Sequence, residues 1–184
     1  MASSTRLGLT IISGPVSSGK SIYAENLLSK AENVYYIATS PIYENDLEWQ
    51  NKIRVHRIRR PSSWQLIETP FNLATSINNI PHDNFILVDS LGGFVANHID
   101  LTTNEWMNYH KQLINQLSLN VHNIIIVIEE VGWGICPSTK SGNIFRDRMA
   151  LITQELESIA KTSLLVIHGI AIDLKKLSVE RFEL

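Results

Sequence analysis

The chain has 184 residues, of which 44% are hydrophobic and 18% are charged, so it can bury a sizeable core without metals or disulfides. Its 16 basic and 18 acidic residues give a net charge of −2, and no basic block of the kind that binds nucleic acid is present. The single cysteine, Cys136, excludes an internal disulfide framework and a multi-cysteine zinc site. We therefore expect one domain over residues 1–184, in a cytoplasmic protein with no membrane span and no nucleic-acid partner.

Five short apolar runs rich in β-branched residues predict strands that are buried on both faces. They are Leu9–Ser13, Val34–Ala38, Phe85–Asp89, Asn123–Glu129 and Ser163–His168. Apolar residues at helical spacing predict three helices between them, at Ser21–Lys30, Glu105–Leu119 and Phe145–Lys161. Residues Gly132–Gly142 are rich in turn formers and predict a loop. Strands that alternate with helices predict an α/β fold with a mainly parallel sheet and helices on both faces.

A phosphate-binding loop follows the first predicted strand directly. It fits the pattern G-x-x-x-x-G-K-[ST] and opens onto a helix; its residues are Gly14, Pro15, Val16, Ser17, Ser18, Gly19, Lys20 and Ser21. In such a loop, backbone N–H groups and the helix N-terminus face the phosphates, Lys20 reaches the β- and γ-phosphates, and Ser21 ligates Mg²⁺. The fold class is therefore predicted to be P-loop NTPase-like, with ATP or GTP as substrate and Mg²⁺ as cofactor.

The strand Phe85–Asp89 ends in a carboxylate, as does the strand that holds Mg²⁺ in P-loop enzymes. Asp89 is therefore the second candidate magnesium ligand beside Ser21. An aspartate that caps the following helix is the alternative interpretation of this position.

Several further blocks resemble the bifunctional adenosylcobinamide kinase / adenosylcobinamide-phosphate guanylyltransferase family of cobalamin biosynthesis. The blocks run in order along nearly the whole chain; they are Ile37–Ser40, Ile53–Pro61, Trp64, Glu68, Val88–Leu91, Asn97, Glu130–Pro137 and Phe145–Asp147. The resemblance implies phosphorylation of adenosylcobinamide with ATP or GTP, followed by transfer of GMP to adenosylcobinamide phosphate. It also implies a homo-oligomer.

In that family the histidine of the H-R-x-R-R-P stretch becomes guanylylated, and His56 occupies the matching position. If Asp46–Arg57 is helical, His56 shares an apolar face with Trp49 and Ile53, and a packed histidine on that face is the alternative interpretation. The resemblance further implies nucleotide contacts at Ala38, Thr39, Ser40, Arg57, Ile58, Arg59, Arg60, Glu68 and Asp89. We expect the Glu68 carboxylate to accept hydrogen bonds from the guanine edge, although a surface carboxylate at a strand end fits the same position.

This chain departs from the family pattern at several places. Leu91–Phe94 replaces a segment with a threonine and a tryptophan in many members. Residues 138–143 lack a common glutamate and a later arginine, and Ala150 and Thr153 replace a common glycine and asparagine. Two rivals therefore stay open, namely a P-loop kinase of another small molecule in which His56 is idle, and a non-catalytic nucleotide-sensing protein. The remaining histidines show no metal-ligand spacing and are expected in loops or on the surface; they are His82, His98, His110, His122 and His168.

Overall fold

The computed structural model describes residues 8–40, 51, 54, 57–119 and 122–177. In chain order the elements are β1 (Leu9–Gly14), α1 (Lys20–Leu27), β2 (Val34–Ala38), β3 (Gln65–Glu68), α2 (Leu73–Asn78), β4 (Phe85–Asp89), α3 (Leu91–Asn97), α4 (Thr103–Ser118), β5 (Asn123–Glu129), α5 (Lys140–Ile159), β6 (Thr162–Ile167), β7 (Ile170–Asp173) and α6 (Leu174–Leu177). No helix in this described part of the chain is long and apolar enough to cross a membrane.

The seven strands form one sheet in the order β3-β2-β4-β5-β1-β6-β7. All neighbouring pairs are parallel except β6 and β7, which form an antiparallel hairpin at one edge. The predicted mainly parallel α/β sheet is confirmed, and each of the five predicted strands is present to within one residue at either end. The strands β3 and β7 were not predicted.

Alternate residues of the central strands pack into two separate hydrophobic clusters, because successive side chains of a strand point to opposite faces. In β5, Ile124, Ile126 and Ile128 belong to the larger cluster, which is covered by helices α2 to α5. Ile125 and Val127 belong to the smaller one, which α1 covers. Helices on both faces of the sheet are therefore confirmed, while the assignment of residues 1–184 to one domain stays a prediction.

The three predicted helices are present, with changes at their boundaries and faces. The predicted helix Ser21–Lys30 rested on Ile22, Leu27 and Leu28. Leu28, at the C-cap of α1, is buried together with Ala24, whereas Ile22 and Leu27 are 47% and 45% exposed. Helix α5 begins at Lys140, so the end of the predicted loop Gly132–Gly142 is helical. The reason is an N-cap, since the Thr139 side chain accepts a hydrogen bond from the Gly142 N–H.

Helix α4 begins with a capping box that its sequence encodes. The Thr102 hydroxyl accepts from the Glu105 backbone N–H, and the Glu105 carboxylate accepts from the Thr102 backbone N–H. Reciprocal bonds of this kind satisfy two backbone donors that a helix start otherwise leaves unpaired. The helix then buries Trp106, Leu113 and Leu117 against the sheet, as their spacing predicts.

Candidate active site

The phosphate loop joins β1 to α1 in the predicted place. Gly19 has a φ of 100°, which favours glycine, and its backbone forms the N-cap of α1 without a side-chain hydrogen bond. The first turn of α1 contains no acidic residue. The N-terminal N–H groups and the positive end of the helix dipole therefore stay available to an anion.

Lys20 lies inside this loop, with only 8% of its surface exposed. Its Nζ atom donates a hydrogen bond to the Pro15 carbonyl oxygen over 3.0 Å. Backbone hydrogen bonds hold the loop at its start and in its middle. Glu130 N–H donates to the Gly14 carbonyl, and Gly169 N–H donates to the Ser18 carbonyl. The loop is thus anchored to the segments that follow both strands flanking β1.

The two predicted magnesium ligands meet in space. Ser21 Oγ donates to Asp89 Oδ1 over 3.2 Å, although 68 residues separate the two positions. Asp89 Oδ2 also accepts a hydrogen bond of 2.8 Å from the Tyr36 hydroxyl. Burial, and then the Asp89 charge, raise the pKa of Tyr36 far above its usual range, so this hydroxyl stays protonated and donates. The following helix α3 has Ser90 at its N-cap, whose side chain makes no capping bond.

The register of the sheet places three of the proposed nucleotide residues in one row. Ala38 at the end of β2 pairs with Glu68 at the end of β3 on one side and with Asp89 at the end of β4 on the other. In parallel sheets, ligands bind at the carboxyl ends of the strands. Glu68 is exposed at this edge, so its carboxylate is accessible to a ligand.

A hydrogen-bond network fixes the segment that follows β2. Thr39 is fully buried, and its hydroxyl donates to the Ser90 carbonyl oxygen. The Asn97 side-chain amide donates to the carbonyl oxygens of Thr39, Pro70 and Gly93 over 2.7, 3.1 and 2.8 Å. Ser40, next along the chain, is half-buried. One amide therefore holds the chain after β2 and after β3 against helix α3.

Glu129 ends β5 and lies beside Gly14 in the register of β1 and β5. Its carboxylate accepts hydrogen bonds from the Ser90 hydroxyl and from the Gly92 N–H, the latter over 3.0 Å. Burial raises the pKa of Glu129 above its usual range, against the opposing effect of the bond from Ser90. Glu129 has a recognisable signal in the sequence, because an acid that ends an apolar strand is the same signal that identified Asp89.

Two consecutive arginines of the H-R-x-R-R-P stretch contact other parts of the site. Arg59 forms two hydrogen bonds to the Glu25 carboxylate, from Nε over 3.1 Å and from Nη2 over 3.2 Å. The Arg60 guanidinium lies 3.9 Å from the centre of the Tyr36 ring. Arg57 and Ile58 are exposed, and residues 57–59 are helical. His56 and most of the predicted helix Asp46–Arg57 lie outside the described residues.

The expectation of loop or surface positions is wrong for His110. His110 is fully buried in helix α4, and His98 and His122 lie in turns but are only 2% and 5% exposed. His98 is held in place by a bond between its Nδ1 and the Phe94 carbonyl, while His110 Nε2 lies 3.3 Å from the Glu155 carboxylate. Burial lowers the pKa of all three histidines. The burial of His110 has a local signal, because it lies four residues after Trp106 on the face of α4 that also carries Leu113 and Leu117. The burial of His98 and His122, which lie outside helices and strands, depends on tertiary packing.

The described part of the chain thus brings together a phosphate loop, a helix N-terminus and the Ser21–Asp89 pair at the carboxyl ends of the parallel strands. These features define a P-loop nucleotide-binding protein. In this sheet β5 lies between the phosphate-loop strand β1 and the Asp89 strand β4. Two solved structures have a similar fold. One is an ATPase of a bacterial type III secretion system, and the other is PH0250 from Pyrococcus horikoshii OT3.

The likeness to both structures concerns the fold alone, since their sequence identities are 9% and 10%. Each has a TM-score of 0.56 and covers 94% of this chain; the match covers 59% of the ATPase chain and 87% of the PH0250 chain.

A family model described as "Cobinamide kinase / cobinamide phosphate guanyltransferase" (CobU) matches residues 10–174. The chain therefore belongs to this family. Its relatives include the bifunctional adenosylcobalamin biosynthesis proteins CobU of Escherichia coli, with 29% identity over 91% of this chain and 99% of that protein, and CobU of Salmonella typhimurium, with 27% identity over 91% and 99%. The corresponding CobP protein of Pseudomonas aeruginosa is 27% identical over 90% of this chain and 96% of that protein.

Proposed function

We propose that the chain catalyses two consecutive transfers to adenosylcobinamide. In the first, the aminopropanol hydroxyl oxygen attacks the γ-phosphorus of ATP or GTP, the bond to the β-phosphate oxygen breaks, and the hydroxyl proton is released. The products are adenosylcobinamide phosphate and a nucleoside diphosphate. In the second transfer, GMP from GTP is joined to that phosphate and gives adenosylcobinamide-GDP.

The phosphate loop performs the first transfer mainly by positioning and by charge. Backbone N–H groups of the phosphate loop hold the nucleotide phosphates, and the Lys20 ammonium leaves the Pro15 carbonyl to stabilise the transferring group. The half-buried Asp89 carboxylate and the Ser21 hydroxyl, which are in hydrogen-bond contact, offer the hard oxygen ligands that Mg²⁺ prefers.

These two residues would hold the ion, which would neutralise charge on the phosphates. No cluster of three or more metal-ligating side chains occurs within the described residues, and this fits an ion that also binds phosphate oxygens and water.

The second transfer needs a nucleophile at the α-phosphorus of GTP, and the proposal assigns this role to His56. The neutral imidazole attacks the α-phosphorus and expels pyrophosphate, and a phosphate oxygen of adenosylcobinamide phosphate then displaces the imidazole from the bound GMP. A covalent intermediate divides one difficult displacement into two easier ones.

Nucleotide contacts are assigned to the segments at the sheet edge. The segment Ala38, Thr39 and Ser40 is held rigidly by Ser90 and Asn97. The exposed Glu68 carboxylate accepts from the N1–H and N2 groups of guanine, which adenine lacks. The stretch Arg57–Arg60 lies near the phosphates, where guanidinium groups bind phosphate oxygens in pairs.

The contact between Ser21 and Asp89 at the phosphate loop, in a chain whose residues 10–174 match the family, carries this proposal. The decisive experiment is incubation with Mg²⁺ and GTP labelled at the α-phosphorus, followed by adenosylcobinamide phosphate. We expect label on the protein, which the corrinoid then removes. Because a phosphoramidate to imidazole is labile in acid, we expect the label to survive alkali and to be lost in mild acid.

A matched pair of variants identifies the nucleophile. His56→Asn should abolish labelling and leave phosphorylation of adenosylcobinamide measurable, whereas His168→Asn should behave like the wild type. His168 is a suitable control because it is exposed and has a φ of 52°, a conformation that asparagine tolerates. Phosphorylation without any labelled protein would favour a kinase with an idle His56, and absence of both activities would favour a nucleotide sensor.

A further inference from the structure

The Arg59–Glu25 contact joins the H-R-x-R-R-P stretch to the helix that begins at the phosphate loop. Glu25 lies on α1 and is only 8% exposed, so its carboxylate has lost most of its contact with water. Two parallel hydrogen bonds of 3.1 and 3.2 Å from one guanidinium compensate for that loss. Removal of a hydrogen-bonded cation from a carboxylate buried in this way is costly, which makes the pair sensitive to removal of either side.

A second contact holds the next residue. The Arg60 guanidinium stacks at 3.9 Å over the ring of Tyr36, which is 4% exposed. The hydroxyl of the same tyrosine donates to Asp89 Oδ2 over 2.8 Å. Adjacent arginines thus contact the phosphate-loop helix and the tyrosine that touches the proposed magnesium ligand.

The sequence places His56 three residues before Arg59. The pair that fixes Arg59 on α1 is therefore close along the chain to the proposed nucleophile. We propose that Glu25 is a positioning residue for guanylyl transfer, acting through Arg59. Arg59, unlike the other arginines assigned to the phosphates, then serves mainly in this anchoring contact with Glu25. The inference rests on the proposed function, because it presupposes that His56 is guanylylated.

The first test is Glu25→Gln, with Glu32→Gln as its control. Both changes remove one negative charge with little change in shape, but Glu32 is exposed just beyond α1. Hydrogen bonds to charged groups are among the stronger contacts in proteins, so we expect covalent labelling by α-labelled GTP to become at least about tenfold slower in Glu25→Gln. The kcat for phosphorylation of adenosylcobinamide should stay within about twofold of the wild type, since that step uses Lys20 and not Arg59.

The second test is the double variant Glu25→Gln with Arg59→Gln. If Arg59 acts only through Glu25, the double variant should label no more slowly than the slower single variant. If the two single effects multiply instead, Arg59 acts directly on the nucleotide and the anchoring role is overturned.

The outcomes separate this inference from the proposed function. An unlabelled wild-type protein overturns the proposed function, and the inference with it. Labelling of Glu25→Gln at the wild-type rate overturns the inference alone. Equal loss of labelling and phosphorylation in Glu25→Gln also overturns the inference, because it would indicate that Glu25 supports the fold as a whole.

Discussion

Substitution of Gly93 by alanine tests whether helix α3 supports the nucleotide segment after β2. A Cβ atom at Gly93 would lie 2.8 Å from the Ser40 backbone nitrogen and 3.0 Å from Ser40 Cα. It would also collide with the Thr39 hydroxyl, which donates to the Ser90 carbonyl. Since two of these atoms belong to the backbone, the segment itself must move to admit the methyl group.

The expected change in stability is the balance of three terms. Overpacking of a close contact costs about 1–3 kcal/mol. Loss of the hydrogen bond from Thr39 adds about 1 kcal/mol. Replacing a helical glycine by alanine returns about 1 kcal/mol, because alanine loses less backbone entropy. The net loss is about 1–3 kcal/mol, which lowers Tm by roughly 2–12 °C in a chain of this size.

The assays are thermal unfolding and GTP titration of Gly93→Ala beside Gly134→Ala. Gly134 has no heavy atom within 4 Å of the position of an added Cβ, so its variant controls for the substitution itself. We expect GTP to bind Gly93→Ala about tenfold more weakly, which corresponds to about 1.4 kcal/mol. If both variants keep wild-type Tm and GTP affinity, the close packing of α3 on residues 39 and 40 does not support nucleotide binding.

Two further predictions concern the phosphate loop and the buried histidines. Lys20→Ala should lower kcat for phosphorylation by roughly 10²–10³-fold while far-UV circular dichroism stays unchanged, whereas the exposed Lys30→Ala should have no effect; a Lys20→Ala enzyme at full rate would contradict the loop assignment. Burial holds the pKa of His98, His110 and His122 below that of the unfolded chain, so the unfolded state binds more protons. The free energy of unfolding should therefore fall as the pH is lowered through about 6.5, by at most about 1.4 kcal/mol per pH unit for each histidine, in urea titrations from pH 7.5 to 5.5. An increase in the free energy of unfolding as the pH falls from 7.5 to 5.5 would contradict this prediction, because it would mean that the folded state binds more protons than the unfolded state.

The central part of the fold could be predicted from local patterns in the amino-acid sequence. The five buried strands were recognisable because they are continuous apolar runs, and the helices α4 and α5 because their apolar residues repeat at helical spacing. The phosphate loop was recognisable because its task fixes both residue type and spacing over eight consecutive positions. The family followed from blocks of this local kind, and residues 10–174 match its model.

Tertiary structure decided what depends on residues far apart in the chain. The short edge strands β3 and β7 were missed because each has only four residues and none of them is fully buried, so neither has the continuous apolar run that marks a central strand. The hydrogen bond from Tyr36 to Asp89 and the pairing of Arg59 with Glu25 join positions that are 53 and 34 residues apart. Neither contact could be predicted from the local sequence. A charged or hydroxyl side chain on a helix or strand gives the same local pattern whether it faces water or a partner. Hydrophobic periodicity identifies the apolar face of a helix or strand. The partner of a polar group is determined only when the order of the strands in the sheet brings two elements together.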